Sequence, residues 1–179
     1  VSGIEGFLRL PAFFEAAREV SGAEVIKPNI VYANILAPGQ ELGVHTDVPE
    51  FRGMNRTKDP EWLLVAMLHS GLFDRWRITM VTAVAWFGSP KGGEFCFYPD
   101  GKDGSPRAIA VRHNTAILLD TDLCFHGVDR VVEPEGKPMP PFEIGMELSY
   151  EGEGRWRVGP SASPLARYRW EDLRFSVSW

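Results

Sequence analysis

The chain has little cysteine. Cys96 and Cys124 are the only two in 179 residues, too few for a disulfide framework. They point to a reducing, cytoplasmic setting. It also lacks any excess of positive charge. The 19 Lys and Arg residues are outnumbered by 24 Asp and Glu, for a net charge of −5. Nothing global favours a phosphate backbone, so no nucleic-acid partner is expected. Long hydrophobic runs are missing as well. The longest, Trp62 to Leu68, is far too short to span a bilayer, and no signal peptide is visible. Membrane association is therefore not expected. Repeats and low-complexity tracts are absent too. The chain starts at Val1 rather than Met and stops at Trp179 inside an apparent strand, so further residues are expected at one or both ends.

What is present is ordinary in bulk: 44% hydrophobic and 24% charged residues. That composition suits one globular domain over 1–179 with one substantial core. Pro11 to Val20 carries an apolar stripe at helical spacing, with Gly22 placed to end it. Asp59-Pro60-Glu61 reads as a helix start, with Asp59 as N-cap and the helix running to about Ser70 or Trp76. The rest reads as short strands: Ile30 to Leu36, Leu42 to Asp47, Met80 to Phe87, Glu94 to Tyr98, Arg107 to Arg112, Thr115 to Leu119, Phe125 to Val132 and Leu173 to Trp179. Phe142 to Tyr150 and Arg155 to Val158 form an expected hairpin. Many short strands behind one or two helices suggest a mainly β double-sheet jelly roll of cupin-like architecture. A helical insert is expected around 48–77 and an inserted hairpin around 134–164.

The chemistry concentrates in His45-Thr46-Asp47 and the distant His126. Residues two apart on a strand point the same way, so His45 and Asp47 can grip one ion from one strand. His126, brought in from another strand, completes a two-His, one-carboxylate face. That donor set leaves positions open and suits non-haem Fe(II). His113 is the rival second histidine, but its place at a predicted turn favours a structural role. His69 falls within the predicted helix. Cys124, two before His126, reads as a small apolar filler rather than a ligand.

Three segments carry a wider pattern. Pro38-Gly39 precedes His45-Thr46-Asp47. Gly92-Gly93-Glu94 precedes the aromatic Phe95-Cys96-Phe97-Tyr98. His126-Gly127-Val128 follows a buried strand. In order and spacing the chain resembles the Fe(II)/2-oxoglutarate-dependent dioxygenases over roughly residues 30–130 and again at the C-terminus. The resemblance implies a double-stranded β-helix with iron near one open end. It implies Fe(II), 2-oxoglutarate and O2 as the reacting set, with His45, Asp47 and His126 as metal ligands. It also implies a cation on the last core strand for the far carboxylate of 2-oxoglutarate. Arg174-Phe175-Ser176 fits that Arg-x-Ser pattern, although the interval from His126 is longer than usual in the family; the inserted hairpin would account for it. Lys137, Arg155 and Arg157 compete with Arg174. On strand parity, Arg174, Ser176 and Ser178 share one face, and Phe175, Val177 and Trp179 the other. Tyr32 and Asn34 alternate on an early strand, where they could face the pocket or serve the core and a turn.

The expected reaction is hydroxylation of an unactivated C–H of a small molecule, with conversion of 2-oxoglutarate to succinate. Halogenation is disfavoured, because Asp47 occupies the position a halide would need. A protein side-chain (prolyl-type) hydroxylase is one alternative, and a non-catalytic cupin-like metal- or ligand-binding module another. Arg52 and Arg56 follow the H-x-D and read either as contacts for an anionic substrate group or as solvated charges. Composition and pattern say nothing about oligomeric state.

Overall fold

A computed structural model describes residues 4–179 of the chain. A short helix α1 (Glu5–Leu8) leads into α2 (Pro11–Ser21). Pro11 occupies the first turn, where its missing N–H costs nothing. Gly22, at φ 68°, ends the helix by donating its N–H to the Arg18 carbonyl. The strands that follow are β1 (Tyr32–Leu36), β2 (Leu42–His45) and β3 (Glu50–Phe51). Helix α3 (Glu61–Ser70) comes next, then β4 (Arg77–Ile78), β5 (Thr82–Phe87), β6 (Phe95–Tyr98), β7 (Arg107–Ile109), β8 (Thr115–Leu119) and β9 (Phe125–Val128). The last four are β10 (Leu148–Gly152), β11 (Arg155–Val158), β12 (Ala166–Arg169) and β13 (Arg174–Ser178). No helix among the described residues is long and apolar enough to cross a membrane.

Two four-stranded antiparallel sheets form the body, with orders β1-β13-β5-β8 and β2-β9-β6-β7. β5 sits inside the first sheet and is buried on both faces. Its alternation decides what each face meets. Val84 and Trp86 pack with Phe95, Val111 and Leu119, so they fill the space between the sheets. Ala83 and Ala85 lie on the other face, where their small size lets α2 approach with Phe13 and Ala17. The result is a mainly β, sandwich-like body with α2 on its outer face.

The regions inserted into this body differ from the sequence-based expectation. The segment around 48–77 does contain a helix, but β3 and β4 bracket it as a small antiparallel pair. Asp59 does not cap α3. Its carboxylate instead accepts from the Asn55 N–H at 2.7 Å, and Pro60 takes the N-cap place. The apolar content of α3 is only partly core: Leu64 and Met67 are buried against Phe51, whereas Trp62 is 71% exposed. The expected hairpin around 134–164 is a three-stranded sheet, β10-β11-β12. Its third strand lies beyond that range and buries Tyr168 against Ala37 and Leu173. β12 escapes a sequence reading because Ala-Arg-Tyr-Arg offers one apolar face of only two residues.

Candidate metal centre

β2 and β9 pair antiparallel, with Leu42 opposite Val128 and His45 opposite His126. Three steps along β2 thus match two along β9, which makes a bulge at Gly43-Val44. Such a bulge re-aims the next side chain, and here it sets His45 directly across from His126. The ring centroids are 4.4 Å apart. Gly127 makes the approach possible, since a Cβ there would meet the Leu42 carbonyl oxygen at 2.8 Å. Asp47 lies beyond the end of β2, not on it. The loop before β9 holds it instead, through Asp47 N–H donating to the Thr121 carbonyl at 2.9 Å.

His45 Nε2 is 3.8 Å and His126 Nε2 3.9 Å from Asp47 Oδ1. All three donor atoms lie within 4.8 Å of one another, close enough to converge on an ion whose ligand bonds run about 2.0–2.2 Å. Each imidazole is already oriented for this. Nδ1 of His45 is 2.8 Å from the Gly43 carbonyl, and Nδ1 of His126 is 2.9 Å from that of Cys124. A carbonyl only accepts, so these contacts place the protons on Nδ1 and leave both Nε2 lone pairs facing Asp47. Burial pushes the His126 pKa below its ordinary value, and the neighbouring His45 adds to this against the Cys124 hydrogen bond. The ring is therefore neutral near pH 7, as a ligand must be. His45, Asp47 and His126 can hold a metal ion.

The remaining candidates separate clearly. His113 is exposed, and its Nδ1 accepts from the Gly88 N–H at 3.1 Å. His69 is exposed on α3. Cys124 packs beside the inter-sheet core, where burial raises its pKa. Lys137 lies in the Pro-rich loop beside a separate surface cavity. Arg155 is exposed and pairs with Glu153 at 2.7 Å. Arg157 is buried, but its Nε pairs with Glu151 at 3.1 Å and its Nη1 donates to the Gly159 carbonyl.

Arg174 differs from all of these. It is 2% exposed, on the interior face of β13 with buried Ser176 and Ser178. Nε donates to the Gly93 carbonyl at 2.8 Å and Nη1 to Ser176 Oγ at 3.3 Å. Nη2 is buried with no hydrogen-bond partner. Burial lowers its pKa to about 10, which leaves it charged near neutrality. Gly93 has φ 69°, and a Cβ there would meet Arg174 Cδ at 2.9 Å. The second glycine of the Gly-Gly-Glu motif therefore both admits the guanidinium and accepts from it. Ring contacts connect the two ends of this interior. His126 stacks on Phe95 at 5.8 Å, Phe95 meets Trp86 at 5.9 Å, and the Arg174 guanidinium carbon lies 6.0 Å from the Trp86 ring centre.

β1 pairs with β13 so that Tyr32 faces Ser178 and Asn34 faces Ser176. Cross-strand partners share a face, so both lie on the Arg174 side of the sheet. Both are exposed. Tyr32 lines a cavity of ≈ 930 Å³ that also reaches Asp47; Asn34 is not part of its wall.

Sequence reasoning missed the polar cluster behind Asp47. Arg77 on β4 pairs with Asp120 at 3.1 Å and lies 3.9 Å from Asp122. Thr121 and Thr82 share a hydroxyl hydrogen bond at 2.8 Å. Asp122 is 1% exposed, and its Oδ2, the atom nearest Arg77, has no hydrogen-bond partner. Burial raises its pKa from 3.8 to about 7, with Asp120 and Asp47 adding to the shift and Arg77 and Arg56 opposing it. The Asp-x-Asp at 120 and 122, just ahead of His126, was the available signal. No family model matches the chain, and no curated protein matches it.

Proposed function

We propose that the protein is an Fe(II)/2-oxoglutarate-dependent dioxygenase that hydroxylates an unactivated C–H of a small molecule. Bound at His45, Asp47 and His126, Fe(II) would supply the coupled conversion of 2-oxoglutarate, O2 and R–H into succinate, CO2 and R–OH. The observation that carries the reading is the unpartnered Nη2 of buried Arg174. A buried charged donor without a partner is costly, and a carboxylate in the interior would relieve that cost with a charge-assisted bond. A non-catalytic cupin-like module has no need for such a cation.

The roles of the chain's own residues follow from position. Arg174 and Ser176 would bind the far carboxylate of 2-oxoglutarate, with Asn34 and Tyr32 on the same side of the sheet as further hydrogen-bond donors. The Gly43 and Cys124 carbonyls hold the imidazoles in the ligating tautomer. Strand order supports the jelly-roll form of the sandwich. With β3, β4 and β10–β12 set aside, the eight remaining strands renumber in chain order to 1-8-3-6 and 2-7-4-5, a two-sheet arrangement suited to that fold.

An anaerobic titration tests the proposal. Fe(II) alone, followed by 2-oxoglutarate, should produce a weak visible charge-transfer band, and admission of O2 should then release succinate. A protein that binds Fe(II) but shows neither band nor succinate is not such an oxygenase.

A further inference from the structure

The ≈ 930 Å³ cavity beside Asp47 has two unlike walls. One side, from the 23–30 linker and the segment before β5, is apolar and includes Ile26, Ile30, Met80 and Val81. Arg52 and Arg56, just after β3, line the cavity as well, and Lys27 of the 23–30 linker is a third lining cation. The acids in the lining are Asp47, whose charge a bound metal would compensate, and Glu50. Glu50 is engaged by Arg56 through Nε at 3.3 Å. The Arg52 guanidinium has no hydrogen-bond or ion-pair partner among the described residues, whereas Arg56 already has Glu50. A chain of net charge −5 thus concentrates unspent positive charge in the cavity that reaches its metal centre.

We propose that this cavity takes an anionic organic substrate: an apolar body along the Ile26–Val81 side and a carboxylate at the unpaired Arg52, with Arg56, held by Glu50, as the second lining arginine. Guanidinium donors match a carboxylate in shape and charge. The volume lies toward the upper end of the ~300–1,000 Å³ typical of small-molecule sites, large enough for a body that reaches from the arginines to the metal. The identity of the cavity as a substrate site rests on the oxygenase reading; its preference for an anion rests on the lining alone.

Ligand-observed NMR on the zinc-loaded chain tests this with apolar carboxylates, each matched to its primary amide and amine, in saturating 2-oxoglutarate. Carboxylates should bind and their amides and amines should bind more weakly. Arg56→Gln and Arg52→Gln should each weaken carboxylate binding by about tenfold, the scale of one charge-assisted bond. Arg52→Lys should recover part of the loss, and Arg155→Gln, an exposed arginine outside the cavity, should leave binding unchanged. Unchanged zinc binding and circular dichroism would show that the variants are folded. Absence of carboxylate binding, equal binding of amides, or an equal loss with Arg155→Gln would overturn the proposal. If carboxylates bind through Arg52 while Fe(II) and 2-oxoglutarate give no visible band, the oxygenase reading fails and the anion site stands.

Discussion

Arg157 and Arg174 are both buried arginines on late strands, yet they are differently placed. Arg157 sits in the accessory sheet, and the fold satisfies it locally with Glu151 and the Gly159 carbonyl. Arg174 sits in the body, where the fold supplies Gly93 and Ser176 and leaves Nη2 unmatched. A buried cation with its own carboxylate is a structural element. One that lacks a carboxylate can, on the proposed reading, take it from a ligand. Burial therefore does not separate the two roles; the inventory of partners does.

The largest test removes the metal that the ligand must also reach. Asp47→Ala takes away the anionic donor, so the visible band and all succinate formation should disappear. Full turnover by that variant at saturating Fe(II) would overturn the reading. Arg174→Ala should come next. Losing a charge-assisted contact of about 1.5–3 kcal/mol corresponds to roughly a ten- to hundredfold rise in the 2-oxoglutarate constant, with iron affinity almost unchanged. Gly93→Ala makes the same point without touching charge. Its Cβ would displace Arg174, so it should raise the same constant by a smaller factor, on the order of severalfold. Arg157→Ala is the control: the 2-oxoglutarate constant should stay put, while the loss of its hydrogen bonds lowers unfolding stability by about 1–3 kcal/mol. A large rise in that constant here, with none in Arg174→Ala, would reverse the comparison.

The smallest expected effect extends the comparison to a buried anion. Asp122, like Arg174, has an oxygen or nitrogen in the interior with no hydrogen-bond partner. Its folded pKa is raised from 3.8 to about 7, so the folded chain holds the proton more tightly than the unfolded one. The stabilisation from this group is therefore complete below pH 3.8 and is lost as pH rises through about 7. In metal-free protein, the Tm difference between wild type and Asp122→Asn should change by a few degrees over that interval. A difference flat with pH would show that Asp122 ionises normally.

Much of the metal centre is legible in the order of residues alone. His-x-Asp spacing and a distant His-Gly-Val bring forward the three residues that the fold gathers, and strand parity sorts Arg174, Ser176 and Ser178 from Phe175, Val177 and Trp179. The path by which Asp47 reaches the site is not legible in this way. Parity places it on β2, but the strand ends at His45 and Thr121 holds Asp47 from another loop. Parity also carries no trace of the bulge at Gly43-Val44, because register depends on the partner strand. The third strand of the accessory sheet and the β3–β4 pair escape for a similar reason. Two- to four-residue strands have too little pattern of their own and form only because a partner offers hydrogen bonds.

Donor types, the alternation of faces and the turns that glycine permits are set along the chain, because they depend on neighbours in sequence. Which groups end up satisfied is decided by tertiary packing. In one dimension Arg174 stands out from Arg157, Arg155 and Lys137 by its Arg-x-Ser pattern, but nothing there says which of them the fold pairs with a carboxylate of its own. The Arg174 partner Gly93 comes from 81 positions away, and no local pattern records that approach. Whether a buried charge is neutralised at home or left open to a ligand depends on what packs around it, and that is settled when the sheets close.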